Sequence, residues 1–555
     1  MRFFVYVDNL PGVLGFTGNS FADFLVGVPY LGVTFQGTGR APLVARSVYG
    51  AYVQDNWRIS RRLTINAGLR YEYAQRWRDA DHRLNRLGTL DTSALSRDLG
   101  GRFLLAGSPD YYLPGTGVIS GSGPPLIRAS LIDPSWRDFQ PRIGLAYRPF
   151  DDNKTAIRAG FGIYYALPDA NSVAQELTSP PFSYQATVIN LPPFVPLGQP
   201  LRDSEFWPAT PPAGVATAGD DPRNRDPHLY QWTFSLERQL SNNVLLAAEY
   251  LGNYGVRDPL SVLINTPDLP NPTQLAQLEL NPALNTTLGL ARSPFPNVGQ
   301  AYQYVQNIAP SWYDALNLRA QGRFANLLNF SAVYTWSKAL DWESAEERLP
   351  GFNANLMLGK SYADFDHPHR FVGSWVYNLP DLGRKWKPLT AGWELTGIAT
   401  FESGPPYSIQ MGVDTSFRGG SIPVFPNPAG PLTTLDIRQS NGIYLTPGNF
   451  AAPAFGTLGS LARNAFHGPG VKNFDLGIVK NFSIHERFKA QIRAELFNAF
   501  NHAQFVFGGA SLASSIAAPP PGETQPVLQY VDASQFGRVS ASPSRIVQLA
   551  AKWIW

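Results

Sequence analysis

The fold is decided by the last twelve residues of the chain, Ser544-Arg545-Ile546-Val547-Gln548-Leu549-Ala550-Ala551-Lys552-Trp553-Ile554-Trp555. Alternate positions form an apolar face, and the positions between them form a small or polar face that only two isoleucines interrupt. A side-chain period of two predicts a β-strand whose two faces meet different surroundings. In a soluble protein this terminal strand would be an exposed, aggregation-prone edge. In a membrane barrel its apolar face contacts lipid and the strand closes the cylinder. The stretch therefore predicts a membrane-spanning β-barrel.

The composition agrees with a chain of many strands. The 555 residues include 34 Phe, 24 Tyr, 13 Trp, 50 Gly and 48 Pro, and 16% of them are charged. These high numbers of aromatic and turn-forming residues favour strands over helices. Cysteine is absent, which excludes disulfides and thiolate metal sites. A net charge of +3 without a run of Lys or Arg does not support binding to nucleic acid.

The chain has no window of about 18 consecutive apolar residues, so no transmembrane helix is predicted. A closed barrel is then the remaining way to satisfy the backbone polar groups inside a membrane. The start, Met1 to Asp8, does not read as a secretory signal because its apolar run is interrupted early. Since an exported protein needs such a signal, we expect that the chain is truncated or that its start was assigned at an internal Met.

Hairpins with the same alternation recur along the chain, with short turns inside each pair and long connections between pairs. They are predicted near 48–58 and 63–73, 141–149 and 154–165, 229–240 and 244–252, 313–323 and 328–338, 370–379 and 391–402, and 472–483 and 487–500. With the last strand and about two weaker early ones, this predicts about 15 strands, fewer than the roughly 22 of plugged outer-membrane transporters. Short and long connections in alternation are typical of barrels with tight periplasmic turns and long extracellular loops. The predicted fold is therefore all-β: an incomplete transmembrane antiparallel up-and-down β-barrel.

The alternation also predicts which side chains face the lumen and which face the membrane. The candidates for lumen-facing, ligand-contacting residues are Arg70, Glu72, Arg158, Arg319, Arg493 and Glu495. The candidates for an aromatic girdle at the membrane surfaces are Trp57, Tyr71, Tyr73, Trp312, Trp336, Trp375, Trp393, Trp553 and Trp555. The alternative is that these aromatic residues form the core of a soluble β protein, which the alternation and the terminal strand together disfavour.

The densest group of ligand-type side chains is Asp364, Asp366, His367 and His369. On an extended strand the two aspartates would share one face and the two histidines the other, so the sequence favours turn chemistry over a metal site. No metal and no cofactor is predicted. Because no Ser/His/Asp order, phosphate-binding glycine loop or paired-carboxylate motif stands out, the chain is not predicted to be an enzyme.

Four segments together resemble one known family. They are Val48–Arg58 with Leu63–Glu72, Ala363–Arg370 (ADFDHPHR), Arg463–Leu476 (beginning RN and containing GPG), and Glu495–His502 (ELFNAFNH). In combination they resemble the C-terminal barrel portion of a TonB-dependent outer-membrane transporter of the Oar-like kind. The C-terminal aromatic residue, with apolar residues at alternate positions, also resembles the signal by which outer-membrane proteins are recognised for assembly.

The resemblance implies that residues 45–555 are the C-terminal barrel portion and that 1–44 are weak early strands and a loop of the same barrel. The signal peptide, the N-terminal sandwich and the plug of such transporters are not recognisable. The implied location is the outer membrane, and the implied partners are outer-membrane lipid, the barrel assembly machinery through the last strand and, in the full-length protein only, the TonB complex.

The function implied by the resemblance is uptake of a large, scarce nutrient of the siderophore, cobalamin, glycan or peptide class. Two alternatives remain at this point. One is a structural or adhesive outer-membrane barrel that transports nothing, and the other is a soluble β-rich glycan-binding protein.

Overall fold

The computed structural model describes residues 2–4, 13–15, 31–37, 43–79, 85–87, 103–105, 108–113, 117–124, 130, 132–167, 183–189, 218–294, 303–325, 327–344, 349–350, 359–380, 390–419, 423–485, 488–542 and 544–554. Within these residues the largest feature is one sheet of sixteen strands. Thirteen of them follow one another along the chain as nearest neighbours. Three short strands add to this path: Ala218–Asp220, Leu349–Pro350 and Ser361–Tyr362.

The thirteen strands form a simple meander. They are β1 (Val48–Arg58), β2 (Leu63–Ala74), β3 (Phe139–Tyr147), β4 (Thr155–Tyr165), β5 (His228–Ser241), β6 (Val244–Leu263), β7 (Gln303–Phe324), β8 (Leu328–Asp341), β9 (His369–Asn378), β10 (Trp393–Glu402), β11 (Val471–His485), β12 (Phe488–Phe497) and β13 (Ile546–Ile554). Each strand pairs antiparallel with the strand before it and the strand after it. The all-β, up-and-down antiparallel fold predicted from the sequence is confirmed, and β1 and β13 form the two edges of the described sheet.

The connections between these strands alternate in length as predicted. The short ones are 59–62, 148–154, 242–243, 325–327, 379–392 and 486–487. The long ones are 75–138, 166–227, 264–302, 342–368, 403–470 and 498–545. All short connections lie at one end of the sheet, the turn end, and all long ones lie at the other, the loop end. This is the asymmetry of an outer-membrane barrel.

Strands β6 and β7 are longer than predicted, at 20 and 22 residues. The predicted bounds near 244–252 and 313–323 are therefore wrong at the loop end of both strands. The extensions contain Pro259 and Pro310, and proline normally marks the end of a central strand because it lacks an N–H. The register shifts on both sides of Asp258, which is a β-bulge that absorbs the irregular pairing. About ten extra residues at about 3.3 Å each carry β7 roughly 30 Å beyond its predicted end.

The early strands form separate small sheets. Leu31–Gly37 pairs with Ser183–Ile189 and with Val13–Gly15, while Arg2–Phe4 pairs with Leu43–Ala45. The remaining short strands before the large sheet's third strand are Arg78–Asp79, Asn85–Leu87, Phe103–Leu105, Tyr111–Leu113 and Gly117–Ile119. The assignment of residues 1–44 to the barrel wall stays a prediction.

A hydrophobic core lies in the two long connections on either side of β11 and β12. We call residues 403–419, 423–470 and 498–542 the cap. Its short strands are Pro406–Tyr407, Ile409–Gln410, Asn427–Pro428, Phe450–Ala451, Phe466–His467, Phe505–Phe507, Ala510–Ser511, Ala513–Ala517, Val527–Tyr530 and Val539–Ala541, with a 3₁₀ turn at Pro447–Asn449. Ile409, Met411 and Phe507 are fully buried there, and the Phe507 ring contacts the rings of Tyr407 and Phe466.

Two helices in the connection 264–302 pack against the cap. They are α1 (Pro272–Leu280) and α2 (Asn285–Arg292), joined by a 3₁₀ turn at Pro282–Leu284. Helix α1 begins with a capping box in which Asn271 and Gln274 each accept from the other's backbone N–H. Asn285 Nδ2 donates to Asp414 Oδ2 of the cap at 3.1 Å. No helix among the described residues is long and apolar enough to span a membrane.

The apolar face of the large sheet is exposed. Leu549 is 76% exposed and Trp553 is 66% exposed, and both lie on this face of β13. Other exposed side chains on the same face are Ile143, Phe161, Phe234, Leu236, Leu318, Trp336 and Ile492. An exposed apolar surface that runs across a whole sheet marks a membrane or partner interface rather than the core of a soluble protein.

Candidate functional site

The six predicted lumen residues lie on the polar face of the large sheet. The register places Arg70 opposite Gln140, Arg158 opposite Ser235, and Arg493 opposite Val479, and this face continues from strand to strand. The six residues therefore share one face of the sheet, and that this face lines a lumen stays a prediction. Contact with a ligand stays a prediction.

These six residues do not form a single site, because they are engaged in three separate ion-pair groups. Arg70 Nη2 lies 2.5 Å from Glu72 Oε1. Arg493 Nη1 lies 3.5 Å from Glu495 Oε1. Arg158 and Arg319 converge on one carboxylate that was not among the candidates, that of Glu237, at 2.6 Å and 3.6 Å. Glu237 could have been found from the sequence, since it alternates with Trp232, Phe234 and Leu236.

A shallow groove of about 400 Å³ lies across β1 to β5 on the polar face. Its polar lining includes Gln54, Asn66, Arg142, Tyr164, Gln231 and Thr233. The Arg142 guanidinium lies 4.5 Å from the centroid of the Tyr164 ring, which is a cation–π contact. Gly162 leaves room for that ring, because a Cβ there would lie 2.9 Å from it. The groove therefore offers amides, a hydroxyl and a ring, with one positive charge.

The predicted girdle residues fall into two groups along the apolar face. At the loop end, ring centroids lie 4.8 Å apart for Tyr71 and Phe139, 4.0 Å for Tyr73 and Trp136, and 5.8 Å for Tyr254 and Trp312. Trp336 belongs to this group by position and is 56% exposed. The turn-end group is Trp57, Trp375, Trp393 and Trp553. Trp555 lies outside the described residues.

Three exposed rings near the loop end were not predicted. Trp136 is 59% exposed, Phe365 is 65% exposed and Phe500 is 67% exposed. Phe500 contacts Phe474 of the apolar face edge to face, with centroids 5.1 Å apart. They lie in long connections, where no alternation reveals them. A role of all these rings at the membrane surfaces stays a prediction.

A lysine lies at each end of the apolar face of β11. Lys472 lies towards the loop end and Lys480 towards the turn end, and Phe474, Leu476 and Ile478 occupy the face between them. Eight residues at about 3.4 Å each span about 27 Å along the strand, before its tilt is counted. That is of the same order as the roughly 25 Å apolar band of an outer-membrane barrel.

A test of this face is available at Gly397 of β10. Its Cα partner is Trp375, and a Cβ at Gly397 would overlap the Trp375 indole ring. The substitution Gly397→Ala is expected to displace the ring and to cost about 1–3 kcal/mol of unfolding free energy. Urea unfolding of the lipid-embedded barrel, with the near-UV circular dichroism of its tryptophans, measures both effects. Gly448→Ala is the control, because a Cβ there meets nothing within 4 Å; equal losses in the two variants would contradict the packing.

Two of the motif segments meet at the loop end of β8. Arg463 forms an ion pair with Asp341, and both side chains are nearly buried. Arg463 Nη1 also donates to Asp364 Oδ1 at 3.2 Å. Asn464 Nδ2 donates to the same carboxylate oxygen at 2.6 Å and to the Tyr362 carbonyl at 2.8 Å. We call this group, together with Asp366 and His467, the rim hub.

The aspartates of the hub lie in a turn and not on an extended strand. The Asp366 N–H donates to the Ala363 carbonyl at 2.9 Å, which closes the turn. Asp366 Oδ1 accepts from the Ala339 N–H at 2.6 Å, and Asp366 Oδ2 lies 3.1 Å from His467 Nε2. Asp364 and Asp366 therefore lie in a turn, as the sequence favours, and not on an extended strand. Both carboxylates contact the segment 463–467, which no local pattern could show.

The two histidines of the same motif point elsewhere. His367 Nδ1 lies 2.7 Å from the Ser403 carbonyl and 3.0 Å from Glu402. His369 Nδ1 lies 2.8 Å from the Tyr334 hydroxyl. Within the described part of the chain, no group of three or more His, Asp or Glu side chains is placed to hold a metal ion.

A cavity of about 500 Å³ opens between the rim hub and the cap. Its lining is Asp364, Pro405, Pro406, Tyr407, Ser408, Gln410, Asn464, Gly508, Gly509, Ala510 and Ser511. The pKa of Tyr407 is raised by burial, so this phenol stays protonated and can donate a hydrogen bond. The lining contains one carboxylate and no basic side chain, together with amides and hydroxyls that can bind polar groups.

An antiparallel meander with a continuous exposed apolar face, ion pairs on the opposite face and long connections at one end is the architecture of an outer-membrane barrel. The family model described as outer membrane beta barrel domain matches residues 4–548. The chain belongs to this family, its location is the outer membrane, and the family is one of barrels and not of enzymes. The soluble glycan-binding alternative is therefore wrong.

Several solved outer-membrane proteins are similar to this chain at low identity. The outer membrane transporter YddB from Escherichia coli is 8% identical with a TM-score of 0.43, covering 95% of this chain and 60% of that one. The ferripyoverdine receptor of Pseudomonas aeruginosa is 9% identical with a TM-score of 0.39, covering 93% and 39%. The ferric yersiniabactin uptake receptor FyuA from Yersinia pestis is 10% identical with a TM-score of 0.38, covering 95% and 47%. The chain thus spans less than two thirds of the length of these proteins, and no curated protein matches it.

Proposed function

We propose that this chain forms the barrel wall and the external loops of a TonB-dependent transporter of the Oar-like kind. The observation that carries the proposal is the rim hub. Two segments resembling motifs of that group, Ala363–Arg370 and Arg463–Leu476, contact each other at the loop end, where Arg463 and Asn464 donate to the Asp364 carboxylate. Arg463 also forms a buried ion pair with Asp341 of β8. The hub supports the cap on the barrel wall, as a transporter with ordered external loops requires.

The cargo is a large, scarce nutrient that enters from the loop end. The cavity beside the hub is the place of first contact, because it lies between the barrel rim and the cap and has a volume in the range of ligand pockets. In the full-length protein, energy for transport comes from the inner-membrane proton gradient through TonB. The barrel assembly machinery inserts the chain through β13, and the aromatic groups at both ends of the apolar face contact lipid headgroups.

The proposal is tested in the parent cell with the full-length gene. Labelled ferric citrate, cyanocobalamin, maltoheptaose and a hexapeptide are the probes, one from each cargo class. One of them is expected to accumulate in a manner that depends on the gene and is lost when a protonophore discharges the inner membrane. Accumulation that survives the protonophore, or no gene-dependent accumulation of any probe, would overturn the proposal in favour of a porin-like or structural barrel.

The place of first contact is tested separately with Gln410→Ala. Gln410 lines the cavity and is exposed, so its amide can reach a ligand there. Losing one such hydrogen bond costs about 1 kcal/mol, which is roughly a fivefold rise in Kd for the transported probe. Gln529→Ala is the control, since Gln529 lies on a cap strand away from the cavity. An equal Kd for Gln410→Ala and the wild type would place the contact elsewhere.

A further inference from the structure

A second buried charge cluster lies at the loop end, away from the rim hub. Arg76, Asp138 and Asp226 are each at most 5% exposed. They come from three different places: the end of β2, the residue before β3, and the connection that leads into β5. The cluster therefore joins the long connection 75–138 to the long connection 166–227. It contains two carboxyl groups and one guanidinium.

The guanidinium contacts three partners, one through each of its nitrogens. Arg76 forms an ion pair with Asp226, its Nε donates to the Asp133 carbonyl at 2.9 Å, and its Nη2 donates to the Asn224 carbonyl at 3.4 Å. The Asp138 carboxyl accepts from Ser135 Oγ at 2.8 Å, and the buried carboxyl of Asp226 lies near it. Two carboxyl groups can share a hydrogen bond only if one of them carries a proton.

The other titratable groups around Asp138 do not remove this requirement. Tyr165 of β4 and His228 of β5 lie near these two carboxyl groups, and Arg257 of β6 lies near Tyr165 and His228. Burial, and then the hydrogen bond to Asp226, raise the pKa of Asp138 to about 7. Two buried carboxylates in contact repel each other, so the site favours one proton between them.

We propose that Asp138 is a proton-operated latch between two external loops, which closes when its carboxyl group is protonated and opens when it is ionised. In the closed state Asp138 donates its proton to Asp226, and the loops are held by this bond and by Arg76. Loss of the proton to water leaves two buried negative charges against one positive charge. The segment 132–138 then separates from the segment 218–227. This device is independent of the transported solute and goes beyond the proposed transport function.

The direction of the pH effect follows from the two pKa values. An aspartate in an open, solvated loop has a pKa of about 3.9, and the closed state raises the pKa of Asp138 to about 7. The contribution of the proton to closure is therefore fully present below about pH 4 and is lost as the pH rises through about 7. Between these values the ratio of closed to open loops falls by up to about tenfold per pH unit.

Hydrogen exchange of the lipid-embedded protein between pH 5 and pH 8, corrected for intrinsic exchange rates, tests the latch. The reporter is one amide that crosses between the two connections: Asp133 N–H bonds to the Pro222 carbonyl at 2.7 Å. Its protection is expected to fall with rising pH by up to about tenfold per unit. The Met411 amide, which bonds to the Val424 carbonyl inside the cap at 2.7 Å, is the internal reference and is expected to stay constant.

The variant Asp138→Asn separates the effect of losing the proton from the effect of the shape of the side chain. Its side chain has the shape of the protonated acid and still donates to Asp226, so the loops are expected to stay protected at every pH. Asp532→Asn is the matched control, because Asp532 is exposed and bonds only within its own turn, and it is expected to keep the wild-type pH profile. A carboxylic-acid C=O infrared band near neutral pH, absent in Asp138→Asn, reports the proton directly. Constant protection in the wild type, or an unchanged pH profile in Asp138→Asn, would overturn the latch.

Discussion

A single arginine in place of Leu549 is expected to destabilise the lipid-embedded barrel, so that it unfolds at a lower urea concentration than the wild type. Leu549 is 76% exposed on the apolar face of β13 and points away from the polar face. A guanidinium at this position would lie in hydrocarbon, which costs about 2–4 kcal/mol near the bilayer midplane. Since folded domains keep only about 5–15 kcal/mol of net stability, this is a large share of the total.

Refolding into vesicles of neutral lipid measures this effect. The folded fraction is followed over a urea series by the change in electrophoretic mobility that unheated barrels show. Gln548→Arg is the matched control, because Gln548 precedes Leu549 and lies on the polar face opposite Glu495. The control is expected to fold as the wild type does. If Leu549→Arg folds equally well, or if both variants fail to the same extent, the apolar face of β13 does not contact lipid.

The second large effect is expected from Arg463→Met at the rim hub. The side chains of Arg463 and Asp341 are only 4% and 6% exposed. Removing the guanidinium leaves the Asp341 carboxylate buried and without its ion pair, and removes the donor to Asp364. Breaking a buried pair in this way costs about 3–5 kcal/mol, more than the pair itself contributes, because the remaining charge is uncompensated.

Urea unfolding of the cap measures the lost free energy of unfolding, and the hydrogen exchange of the core amides of the cap is the readout. The double variant Arg463→Met with Asp341→Asn is expected to recover part of it, because the orphaned charge is then removed as well. Arg62→Ala is the control for an exposed pair. Its partner Asp151 is 91% exposed, so its loss is expected to cost at most about 1 kcal/mol. Equal costs for Arg463→Met and Arg62→Ala would show that the hub does not stabilise the cap.

The strands of the barrel were predictable because each one carries its own signal. The alternation in β2, between Leu63 and Tyr73, and in β13 reports directly that one face meets an apolar medium and the other does not. All thirteen strands from Val48 onward were found in this way, and so was the alternation of short and long connections. The predicted loop-end bounds of β6 and β7 were wrong for a local reason. Pro259 and Pro310 indicate the end of a strand, whereas the bulge at Asp258 lets the pairing continue.

The charged residues show where local patterns stop being informative. The alternation placed Arg158 and Arg319 on the polar face, yet their convergence on Glu237 depends on how β4, β5, β6 and β7 align. The turn at Asp364 was favoured from the sequence, yet nothing nearby indicates that Arg463 and Asn464, about a hundred residues later, supply its hydrogen bonds. The buried latch at Asp138 gives no local signal at all.

The sequence by itself determined that this protein is a meander of strands with one apolar and one polar face, because a period of two is written into each strand separately. It also determined the family, because the motifs are contiguous. Only the tertiary structure decided which charges meet, how the cap forms its own core, and which two buried carboxyl groups lie near Arg76. Those contacts join residues that are distant in sequence, and the free energy of a buried charge depends on its partners in space and not on its neighbours in the chain.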